Sequence, residues 1–152
     1  MRCVLRSFRQ AVFPAVLASS VACDGGTDVF HLVGVSVALS SDSLIAPGSV
    51  AIRVTATNLS WQDVLVVPSH CPEAFVVLDR DGRTVGPAPK LCALIDIPPI
   101  ALAPNESYEF QHDWDGQGLD GPLPSGEYFV VGRVRTKLAL VTSRPRPLRV
   151  AR

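Results

Sequence analysis

Three histidines, four cysteines and one run of aspartates are the side chains of this 152-residue chain best suited to chemistry. His31, His70 and His112 lie in or beside alternating apolar segments, and none has a Ser, Cys and carboxylate nearby in a recognisable nucleophile arrangement. The chain carries no Gly-rich phosphate loop, zinc signature or nucleophile elbow. We therefore assign no catalytic residue and read the chain as a non-enzyme. In Asp113-Trp114-Asp115-Gly116-Gln117-Gly118-Leu119-Asp120-Gly121, carboxylates alternate with small residues as at the start of a calcium-binding loop. The twelfth position from Asp113 is Pro124, where a bidentate glutamate is required, so the run reads as a polar loop.

The cysteines point to export. Arg2, Arg6 and Arg9 form a positive leader, and Ala11 to Ala22 is an apolar stretch too short to span a bilayer comfortably. It closes on the small residues Ser20-Val21-Ala22, so residues 1–22 are predicted to be a signal peptide. A cysteine directly after such a site resembles the bacterial lipobox, which implies that Cys23 is acylated and becomes the new N-terminus. Ser20 stands where that motif carries Leu, Val or Ile, and cleavage without acylation is the alternative. Residues 23–30 then form the lipidated cysteine and a short polar linker, and residues 31–152 the folded domain.

With Cys3 removed and Cys23 lipidated, Cys71 and Cys92 remain as a pair in an oxidising compartment, and a disulfide is the simplest assignment. It would close a loop of about twenty residues and stabilise by roughly 3 kcal/mol through chain entropy. The alternative joins Cys71, Cys92 and His70 around a metal. The chain has neither a C-x-x-C pair nor a second suitably spaced His, so no metal or cofactor is assigned.

A scaffold must position whatever this chain presents, and its composition indicates strands. Hydrophobic residues make up 47% and charged residues 18%, with 13 prolines and 11 glycines dispersed along the chain, which suits many short strands joined by turns. Zero formal net charge leaves no global field for nucleic acid, so none is expected as a partner. Val33, Val35, Val37 and Leu39 share one face of a first strand, and Val50, Ile52, Val54 and Ala56 one face of a second. Between them Asp42 to Ser49, with Pro47-Gly48, reads as a turn. Val64 to Val67 and Ala74 to Leu78 are short apolar runs, the latter entering an Asp81-Gly82 hairpin. Gly86 to Pro99 reads as an irregular connection stapled by the disulfide. Tyr108, Phe110, His112 and Trp114 point one way, Gly116 to Gly126 is a loop, and Tyr128 to Arg135 is a strong strand. Extended pieces at Leu138 to Val141 and Leu148 to Val150 end the chain. These features predict an all-β, immunoglobulin-like antiparallel sandwich of seven to nine strands.

In Leu123-Pro124-Ser125-Gly126-Glu127-Tyr128, a glycine two residues before a tyrosine at a strand start resembles a tyrosine corner, with Gly126 and Tyr128 as its residues. Further elements are Thr57-Asn58-Leu59-Ser60, Phe75 through Gly82, Leu102-Ala103-Pro104-Asn105-Glu106, and Trp114 through Tyr128. Together, from about Val50 to Arg135, they resemble the BsuPI-type intracellular proteinase inhibitor family of immunoglobulin-like bacterial domains. The family usually has Pro-Gly-Glu where this chain has Pro104-Asn105-Glu106, and asparagine also accepts left-handed turn conformations. The export signal and the Cys71/Cys92 pair depart from an intracellular inhibitor.

The resemblance implies a domain that presents loops to a protein partner, with a protease as one class. The candidate contact loops are Asn58 to Asp63, with Trp61 and Gln62, and Asp115 to Gly121, with Asp115, Gln117 and Leu119; Trp61 itself is read as a lid on the sandwich end, with an exposed anchor for a partner as the alternative. Membrane contact is expected only through lipid at Cys23, and no small-molecule ligand is expected. The alternatives are a structural accessory lipoprotein module without a discrete ligand and a metal-binding envelope protein. Asn58-Leu59-Ser60 and Asn105-Glu106-Ser107 also match the N-glycosylation pattern, and in a bacterial chain they are simply turns.

Overall fold

The computed structural model describes residues 32–68, 74–88 and 98–152. Cys3, Cys23, Cys71, Cys92, His31 and His70 lie outside them, as do the signal peptide, the linker and the proposed disulfide. One sheet consists of β1 (Val33–Leu39), β3 (Val50–Asn58) and β8 (Ser107–Trp114), antiparallel and with β3 central. Strict alternation in β3 turns Val50, Ile52, Val54 and Ala56 fully inward and Arg53 outward. The register Val50↔Trp114 through Thr57↔Ser107 sets β8 alongside with Phe110 and Trp114 on that same buried face. Each large aliphatic side chain removed from water in this way stabilises the fold by about 1.5–3 kcal/mol.

The second sheet is organised by one long strand, β11 (Gly126–Thr136). Its first half is flanked by β13 (Arg146–Ala151) on one side and β5 (Phe75–Leu78) on the other. Its second half is flanked by β12 (Leu140–Thr142) and β4 (Val64–Val67). Outside these lie β6 (Thr84–Gly86) on β5, β7 (Ile100–Leu102) on β4, and β2 (Ser43–Ile45) on β13. A small hairpin of β9 (Gln117–Gly118) and β10 (Gly121–Pro122) stands apart. The sheets meet through Val54, Phe110 and Trp114 on one side and Phe75, Val77, Val130, Val134 and Leu148 on the other, all buried. Phe75 contacts the ring of Trp114 edge-on at 6.4 Å. At Gly132 the layers come so close that a Cβ would lie 2.9 Å from Val54 Cγ1.

This is an immunoglobulin-like β-sandwich, with two departures from the expected form. The described residues contain thirteen strands rather than seven to nine. Seven of the thirteen have four residues or more; the other six, β2, β6, β7, β9, β10 and β12, have two or three, too few to show a period. Nor is every pairing antiparallel. Ser43–Ile45, read as part of a turn, runs parallel to Arg149–Ala151, covering an edge of the C-terminal strand. At Asn105, which stands in place of the family's glycine, φ is 65°, and the Glu106 N–H donates to the Ala103 carbonyl at 2.9 Å across the turn. Asparagine tolerates that left-handed conformation better than most residues with a side chain.

Candidate functional site

The two candidate loops sit at opposite ends of the sandwich. Asn58 to Asp63 follows the end of β3, where β8 begins, and Asp115 to Gly121 follows the end of β8, where β3 begins. At about 3.3 Å per residue, the strands between hold them roughly 25 Å apart. The structure therefore does not bring Trp61 and Gln62 together with Asp115, Gln117 and Leu119.

Asn58 builds the first end. Its side chain is fully buried, and its Nδ2 donates to the carbonyls of Gln62 at 2.7 Å and Leu102 at 2.8 Å. Its Oδ1 accepts from the Ser60 N–H at 2.9 Å and the Ser60 hydroxyl at 2.7 Å. All four hydrogen-bonding sites of the amide are thus used inside the protein, which leaves no place for a glycan at this asparagine. The turn so fixed points Trp61 into solvent with 82% of its surface exposed, so it is not the expected lid on the sandwich end. Facing it is the turn Thr136 to Ala139, closed by the Thr136 hydroxyl, which donates to the Ala139 carbonyl and accepts from the Leu138 and Ala139 N–H groups. Leu138, expected to begin a strand, sits instead on this turn and is 74% exposed. Trp61, Leu138, Leu32, Val64 and Val141 line an open groove of about 350 Å³, with Asp63 and Lys137 as its charged residues.

At the second end the stretch read as a polar loop contains a hydrogen-bonded hairpin. The Gln117 carbonyl accepts from the Trp114 indole N–H and the Ala88 N–H, both at 3.0 Å. The Leu119 N–H donates to the Val85 carbonyl at 2.8 Å, and the Leu123 N–H to the Gly116 carbonyl at 2.9 Å. Asp115 Oδ1 accepts from the Gln117 N–H at 3.2 Å, so this carboxylate shapes the turn. Gly118 is enclosed: a Cβ there would come 2.5 Å from Leu123 Cδ2 and 2.6 Å from the Val85 carbonyl oxygen. The hairpin tip is Leu119-Asp120, with Leu119 49% exposed. Beside it the Tyr128 hydroxyl donates to the Pro124 carbonyl at 2.9 Å, pinning the entry to β11, a bond worth about 1 kcal/mol.

His112, in β8, is half-buried with its ring tilted against Phe75, at a centroid distance of 5.8 Å. Among the described residues, no group of three or more His, Cys, Asp and Glu side chains could hold a metal ion. Two features of the ends escaped sequence reasoning: the exposed Leu138 and the enclosure of Gly118. Thr136 two residues before Leu138 is the signal for the first, since a threonine hydroxyl can close its own turn. The second depends in part on the Val85 carbonyl, which is distant along the chain and has no local signal.

No family model matches the chain, and no curated protein is similar to it. Solved structures are similar at the level of fold. The C-terminal domain of Wzt is 12% identical, with 78% of this chain and 71% of that one covered and a TM-score of 0.49. A CARDB domain from Pyrococcus furiosus, solved in complex with di-metal ions, is 13% identical, with 78% and 87% covered and a TM-score of 0.43. Likenesses of this degree carry no argument about function. What the strand pairing and the two ends define is an immunoglobulin-like sandwich with a hydrogen-bonded hairpin at one end and an exposed apolar groove at the other.

Proposed function

We propose that the chain is a non-catalytic binding domain of the cell envelope, exported, held by lipid at Cys23, and offering its Leu119 hairpin to a protein partner. The observation that carries this reading is the hairpin's construction. Backbone bonds from Val85 and Ala88 and the indole of Trp114 fix it, while a large apolar side chain projects from its tip. A contact residue already ordered before binding costs little entropy on association. Asp120, exposed beside Leu119 at the tip, favours a partner with a basic residue beside an apolar pocket. The resemblance to BsuPI-type inhibitors makes an exported protease that accepts a leucine the first partner class to examine.

The test measures inhibition by the purified mature chain and its Leu119→Ala variant against a panel of exported serine proteases. We expect one protease to be inhibited, with at least about a tenfold loss of affinity on truncating Leu119, in line with a central interface anchor. Inhibition indifferent to Leu119 would remove the hairpin from the interface. No inhibition of any protease at micromolar domain would end the inhibitor reading.

A further inference from the structure

The exposed large apolar side chains are unevenly placed. Of the six among the described residues, Leu59, Trp61, Leu138 and Leu140 gather at the Asn58 end, while Ile45 and Leu119 lie at the other. The described chain also enters the fold at the Asn58 end. The Leu32 carbonyl accepts from the Leu59 N–H at 2.8 Å, and Leu32 itself lines the groove beneath Trp61. Only eight residues separate Leu32 from Cys23, a reach of at most about 30 Å. A lipid on Cys23 would therefore tether the domain by this end, where the described chain enters the fold.

From this we infer that the Trp61 end is a membrane-docking surface: Trp61, Leu59 and Leu138 enter the headgroup region of the bilayer to which Cys23 is anchored. The inference rests on the lipid-anchor reading for its orientation. Tryptophan suits that depth, because its ring is apolar and its indole N–H can still reach water or a headgroup. The groove's charges, Asp63 and Lys137, balance, so no net charge repels an anionic leaflet, and Lys137 can meet a phosphate. With the tethered end down, the Leu119 hairpin faces away from the membrane, free for a partner.

The chain has two tryptophans, and Trp114 is only 3% exposed, so its environment changes little when the surface is covered. Emission from the mature chain, acylated and unacylated, is followed as vesicles of phosphatidylcholine with a minority of phosphatidylglycerol are added, and again with brominated acyl chains. We expect a blue shift and bromine quenching of the exposed tryptophan in both forms. Trp61→Ala should weaken vesicle partitioning of the unacylated form at least about tenfold, and the variant should fold because the side chain is exposed. Unchanged emission in both forms would overturn the docking surface, as would coverage of Trp61 by a soluble protein without any vesicle effect. Intact mass of the processed chain reports separately on the anchor. A processed chain whose mass carries no lipid sinks the anchor and, with quenching, leaves the docking surface; a lipidated mass with no quenching in either form does the reverse.

Discussion

Replacing Asn58 with alanine is expected to destabilise the domain by about 3–4 kcal/mol, more than any other side-chain truncation outside the apolar core. The change removes four hydrogen bonds at once; the Leu102 carbonyl loses its side-chain donor at a buried site, and the Gln62 carbonyl is left with the Ser60 hydroxyl. Those two carbonyls belong to the Trp61 turn and to β7, so the loss unties the turn from the second sheet as well as from its own strand. Asn58→Asp is the sharper variant. It keeps the acceptor that Ser60 uses but presents carboxylate oxygens to two carbonyls, and should cost at least as much as alanine. Urea denaturation followed by tryptophan emission measures both. A loss below about 1 kcal/mol for either would mean that water takes over the amide's bonds and that the turn does not depend on it.

The second large effect is expected at Gly118. An added methyl would meet the Val85 carbonyl oxygen at 2.6 Å and the Gly121 carbonyl oxygen at 3.1 Å, backbone atoms that cannot rotate away, as well as a methyl of Leu123. Gly118→Ala should therefore cost about 3 kcal/mol, at the upper end of overpacking penalties, or else lift the hairpin off β6. Lifting displaces Leu119, whose N–H bonds the same Val85 carbonyl. Affinity for a partner should fall at least as far as in Leu119→Ala, while the Trp61 end keeps its properties. Amide exchange distinguishes a lifted hairpin, with fast exchange confined to residues 116–123, from general destabilisation. A Gly118→Ala protein of unchanged stability and hairpin protection would contradict the enclosure.

Much of the scaffold is legible from single segments. β3 and β8 alternate strictly because one face of each is buried and the other is wet, so Val50, Ile52, Val54 and Ala56 declare themselves without any knowledge of their neighbours. Tyr128 likewise carries its partner close by, with Pro124 four residues upstream. Elements defined by a distant partner are not legible. Ser43–Ile45 is a strand only because Arg149–Ala151 lies beside it, and three residues next to Pro47-Gly48 look like a turn. Asn58 reads as a turn residue by type; its burial follows from Leu102, forty-four positions along the chain. The candidate loops were each found from local composition, but their separation is set by the length of β3 and β8, which no loop residue encodes.

The two-ended arrangement is most directly tested by amide hydrogen exchange of the acylated, mature chain in detergent and after reconstitution into vesicles. The account predicts slower exchange on reconstitution in residues 58–65 and 136–141, with residues 115–123 unchanged. Protection at residues 115–123 with none around Trp61 would place the opposite end on the bilayer and contradict it.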